Sequence, residues 1–119
     1  MTYEQFNNYP LIIAGINQSY NQILTDIETL VKNEMEYSGQ AADVSEVIPY
    51  FVFFKFCEFK ESEVSATSGE MVTTSELTFP SYMAQVRAWN TGAAKLKVIC
   101  TEKGTTAHRY YTSKINLVC

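Results

Sequence analysis

Apolar residues along the chain fall into three runs with helical spacing, separated by polar stretches rich in Ser, Thr and Gly. In the first run Ile12, Ile16, Tyr20, Ile23, Ile27, Leu30 and Val31 recur at steps of three and four, while Asn17, Gln18, Asn21, Gln22, Asp26 and Glu28 take the other positions. That spacing predicts an amphipathic helix over 10–36, opened by Pro10 and stopped by Gly39 in the connection "YSGQAAD". Ahead of it, Thr2 and Gln5 have the spacing of a capping box, which predicts a short helical turn at the start.

The second run, "IPYFVFFKFCEFKE" at 48–61, holds five Phe and one Tyr. It is no membrane span, because Lys55 falls in its middle, Glu58 follows, and a crossing needs about 20 apolar residues. A strand would alternate, and the adjacent Phe53 and Phe54 break alternation. Steps of three and four from Val47 through Phe54 to Cys57 predict a helix over 44–62, with Asp43 or Ser45 as its cap and Pro49 near its first turn. Its greasy surface covers more than one face, so it is either central to the domain or buried once in the core and once against a neighbour.

The third run begins at Pro80 or Ser81 and carries Tyr82, Val86, Trp89, Ala93 and Leu96 as its stripe, with Gln85, Arg87 and Lys95 outside. It predicts a helix over 80–100 that ends before Gly104, with Gly92 weakening its middle. Between the second and third helices, 64–78 is polar and lacks a helical period. It predicts an extended loop or a hairpin, with Gly69 at a turn and Met71–Thr74 as a short strand. After Gly104, residues 105–119 lean toward β structure and finish in "INLVC", which predicts an extended C-terminal arm. The fold class is therefore mainly α. We expect a three-helix bundle-like domain over 1–104, with a hairpin or extended loop between helices 2 and 3, followed by the arm.

Composition narrows the function classes. The 119 residues are 46% hydrophobic and 18% charged, which suits one domain with a real core. Aromatics reach 13%, large contact area for a core or an interface. A net charge of −4, with nine basic residues spread along the sequence, argues against nonspecific nucleic-acid binding. Three widely spaced cysteines, Cys57, Cys100 and Cys119, form neither a disulfide framework nor a zinc pattern, and read as reduced thiols. The N-terminal "MTYEQFNNYP" lacks the basic and apolar regions of a signal peptide, and Asn17-Gln18-Ser19 reads as a chance sequon.

Catalytic chemistry finds little support. His108 is the only histidine and has no nucleophile and orienting group beside it in sequence. No glycine-rich phosphate loop or metal-ligand spacing occurs. We expect no enzyme activity, no cofactor and no metal. Trp89 and the Phe cluster read as core, the acidic clusters as solvated surface.

The aromatic helix "YFVFFKFCEFKESEV", the connection with "SGEMV" and the helix with "VRAWN" together resemble the small helical head–tail connector proteins of tailed bacteriophages, closest to those of Bacteroides-type and crAss-like phages. The resemblance covers roughly residues 44–97. It implies a structural virion protein at the head–tail interface, made in the host cytoplasm. It implies a homo-oligomeric ring, commonly a dodecamer, which bridges the portal protein and neighbouring tail or ring proteins. DNA passes through such a channel without sequence-specific binding, and no membrane is involved. The loop and arm are the natural clasps for neighbours, so the candidate partner-binding residues are Gly69, Met71, Val72, Tyr110, Tyr111, Ile115, Leu117 and Val118. The alternative is a small intracellular, phage-encoded binding or regulatory protein. An enzyme subunit dependent on a partner chain and on His108 is a third.

Overall fold

A computed structural model describes residues 1–66, 77–108, 110 and 114, with 61–66 as backbone alone. Three α-helices dominate: α1 (Asn21–Met35), α2 (Ile48–Ala66) and α3 (Tyr82–Lys103). Short 3-10 segments at Tyr3–Asn8, Gln18–Tyr20 and Ala41–Val44 fill the connections. The molecule is mainly helical and bundle-like, with α1 and α3 each packed on α2.

The aromatic stretch sits at the centre. Ile48, Tyr50, Phe51, Val52, Phe53, Phe54, Phe56 and Cys57 are all buried, so the first three turns of α2 are covered by this one chain on nearly every side. Phe51 and Phe54 meet Trp89 of α3 with ring centroids 4.8 and 5.3 Å apart. Phe53 meets Phe6 edge-on at 5.8 Å, Tyr50 meets Tyr9 at 5.4 Å, and Phe56 meets Tyr20 at 5.8 Å. Each such pair adds about 0.5–1.5 kcal/mol beyond the area it buries. Of the two placements open to so greasy a helix, the central one holds, and no neighbouring chain is needed to cover it. Phe59, half exposed, is the exception.

The predicted helix over 10–36 is corrected: α1 starts at Asn21. In the segment before it Leu11 and Ile13 are buried while Ile12 is 75% exposed, an alternation that belongs to extended chain. Ala14 pairs in antiparallel sense with Thr78, each N–H donating to the other's carbonyl at 3.1 and 2.8 Å. Gly15 then takes a positive φ of 91°, which no helix accommodates. Ile12 and Ile16 match the helical spacing of α1 by coincidence. The opening turn forms as expected, with reciprocal capping between Thr2 and Gln5.

Gly39 does not stop α1. Glu36 does, in the left-handed region at φ 46°, with its N–H donating to the Lys32 carbonyl at 3.3 Å. The second helix begins four residues later than the predicted 44, because Ala41–Val44 winds as a separate 3-10 turn capped by Gln40 and Asp43. It then runs through Ala66, past the predicted 62 and into the expected loop.

Of the two expected starts of α3, Ser81 is the N-cap: its hydroxyl accepts from the Ala84 N–H at 3.1 Å. Gly104 closes the helix at φ 66°, three residues beyond the predicted end. Val86, Trp89, Ala93 and Leu96 face the core, but Tyr82 is half exposed. Gln85, expected outside, is 2% exposed and donates its Nε2 hydrogen to the Pro80 carbonyl at 3.0 Å. A buried amide is tolerable because its N–H is satisfied by a carbonyl just ahead of its own helix.

The expected strand Met71–Thr74 and most of the 64–78 loop lie outside the described residues. The near part of the C-terminal segment packs on the helices. Ala107 and Tyr110 belong to the core, Ser38 and Thr106 exchange two hydrogen bonds of 2.9 Å, and the His108 N–H donates to the Met35 carbonyl.

Candidate functional site

Among the described residues, a cleft of about 570 Å³ opens where the C-terminal segment crosses between α1 and α3, above α2. Each element contributes: Glu34 from α1, Lys55 from α2, Trp89 from α3, and His108, Tyr110 and Lys114 from the segment. The floor is aromatic because α2 carries Phe51 and Phe54 one turn apart, facing Trp89.

Tyr110 lies edge-on to Phe51 at 4.9 Å and 5.0 Å from Trp89, and its hydroxyl donates to Glu34 Oε1 at 2.5 Å. The same carboxylate oxygen stands 3.7 Å from Lys55 Nζ. Lys114 is held by the side chain of Asn90, which accepts from its backbone N–H at 2.7 Å and donates to its carbonyl at 3.2 Å. Its ammonium then lies 4.4 Å from the centre of the Trp89 ring and 4.9 Å from that of Phe54. A cation so placed on a tryptophan contributes about 0.5–2 kcal/mol.

The contacts here are edge-on and tilted rings, a cation on an aromatic face and a shared carboxylate. Together they hold the C-terminal segment. His108 stands exposed at the rim, engaged through its backbone. Among the described residues, no three His, Cys, Asp or Glu side chains gather as a metal site. Likewise, no described helix is long and apolar enough to cross a membrane.

Burial pushes the Tyr110 hydroxyl well above its ordinary pKa of 10.0, and Glu34 adds to the shift by accepting its hydrogen and by its charge. A raised pKa in an acid means that the folded state holds a proton the unfolded state releases. The contribution is therefore complete below about pH 10 and declines as pH rises above it. Tyr110→Phe is expected to reduce this decline. Urea midpoints of parent and variant should converge between pH 8 and pH 11, and equal slopes with pH would show the hydroxyl to be free in solution.

Of the eight residues expected to meet a partner, Gly69, Met71, Val72, Tyr111, Ile115, Leu117 and Val118 lie outside the described residues, and Tyr110 is in the core of its own chain. Sequence reading did not anticipate the Asn90–Lys114 clasp or the Glu34–Tyr110 bond. Neither pair shares a helix or a period, and their partners are 24 and 76 residues apart. The only available signal was the aromatic density around Trp89. No protein-family model, curated protein or solved structure matches the chain.

Proposed function

We propose that this chain is a structural subunit of a bacteriophage head–tail connector, assembling as a ring that bridges portal and tail components around the DNA channel. The reading rests on the resemblance carried by residues 44–97. The observation that supports it best is where the surface keeps its apolar side chains. Besides Ile12, Phe59, Tyr82 and Met83, the exposed large apolar side chains among the described residues are Leu30 on α1, 46% exposed, and Val98 on α3, 55% exposed, one on each helix flanking the central α2. A ring subunit needs two different faces, one for each neighbour, and an outer helix on each flank provides them. In this reading the chain is a virion protein, binds no cofactor or metal and catalyses nothing. Its overall acidity keeps the channel from gripping phosphate.

Sedimentation velocity, run on the chain alone and with the portal protein, tests the proposal. Discrete ring-sized species, or co-sedimentation with portal, are the expected result. A folded monomer at high concentration that ignores portal and is missing from purified particles would overturn it and favour a small regulatory protein.

A further inference from the structure

Basic residues are unevenly distributed over the helices. Helix α3 carries Arg87, Lys95, Lys97 and Lys103 against the single carboxylate of Glu102, a net +3 on a chain of net −4. Lys103 pairs with Asp43 at 3.6 Å. Among the described residues, Arg87, Lys95 and Lys97 have no carboxylate within ion-pair distance, and Arg87 reaches only the Met83 sulfur. Val98 projects opposite the buried stripe of Val86, Trp89, Ala93 and Leu96, and Ala94 and Thr101 lie beside it one turn away. A shallow groove of about 390 Å³ runs along this face, bounded by Lys97 and Glu102. The result is a small apolar ridge with cations around it, facing solvent on a protein that is otherwise acidic.

The complementary surface is on α1. That helix holds Asp26, Glu28 and Glu34 against Lys32, a net −2, and Glu28 already engages Lys32 at 3.1 Å. Asp26, Leu30 and Glu34 are spaced by four, so they form one line along the helix. Among the described residues, Leu30 is the exposed large apolar side chain that stands between two carboxylates, one turn away on either side. Glu34 is already engaged by Tyr110 and Lys55 of its own chain, so Asp26 is the carboxylate left to meet Lys95 or Lys97 when Leu30 seats beside Val98 and Ala94.

We infer that the outer face of α3 docks onto the Asp26–Leu30–Glu34 edge of α1 in a second copy of this chain. The contact is head-to-tail, joining different surfaces, so it propagates around a ring instead of closing a pair. The inference rests on the assembly proposed above and names its interface. Duplex DNA fits this face less well, because Glu102 and the apolar ridge occupy ground where phosphates would need cations.

Charge reversal tests the inference. Lys95→Glu with Lys97→Glu is expected to weaken self-association at least about tenfold, and Asp26→Lys in the same chain should restore much of it. Val98→Asp should abolish association while leaving the circular dichroism spectrum unchanged, since Val98 has no core role. Association that survives both K95E/K97E and V98D would overturn the interface yet leave the connector reading standing. A chain that never self-associates, with or without portal, would overturn both. Two further outcomes also count against the inference: no rescue by Asp26→Lys alongside α3-to-α3 crosslinks, and retention of duplex DNA that K95E/K97E abolishes.

Discussion

Phe51→Ala is expected to cost about 3–5 kcal/mol, a large part of the roughly 5–15 kcal/mol that holds a domain of this size together. Phe51 is fully buried and touches both Trp89 and Tyr110, so its loss leaves a void shared by α2, α3 and the C-terminal segment. The surroundings cannot collapse into that void easily, because Trp89 is also fixed against Phe54. Urea unfolding followed by tryptophan fluorescence measures the loss directly. Phe59→Ala is the control: its ring is half exposed, and its removal should change stability by no more than about 0.5 kcal/mol. Equal losses at the two positions would mean that α2 is not the centre of the core.

Gly92→Ala should be destabilising by about 1–2 kcal/mol, against the direction that helix propensity predicts. In an open helix the change would stabilise by about 1 kcal/mol. Here an added Cβ would lie 2.8 Å from Tyr50 Cβ and 3.3 Å from a Phe51 ring carbon. Tyr50 Cβ is tied to its backbone and cannot swing aside, so α2 and α3 must separate, and overpacking of this kind typically costs about 1–3 kcal/mol. A thermal melt of Gly92→Ala at or above the parent midpoint would show that the two helices slide apart without cost.

Gly92 also shows what a sequence conceals. Read along the chain, it is a defect in a helix. In the fold it lies directly against Tyr50 and Phe51 of α2, a property of two segments about 40 residues apart. The same limit explains Gln85, which looks like surface until its amide is seen capping the carbonyl of Pro80.

What was legible was local. Ser81 and Gly104 marked the ends of α3, Thr2 and Gln5 marked the opening turn, and the steps from Val47 through Phe54 to Cys57 announced a helix apolar on more than one face. The segment 10–20 misled because Leu11 and Ile13 bury by alternation while Ile12 and Ile16 keep step with the following helix. Only the pairing of Ala14 with Thr78, distant in sequence, settles which period applies. The cleft was illegible for the same reason, since its groups come from four separate elements.

The encirclement of α2 bears on how the protein is made. This helix is synthesised before α3 and Tyr110, so its phenylalanine rings lack their partners until the last part of the chain follows. Exposed surface of that kind invites association with other unfinished chains or with chaperones. Release of translation products cut short ahead of Tyr110 should therefore fill the insoluble fraction, whereas chains that reach Lys114 stay in the supernatant.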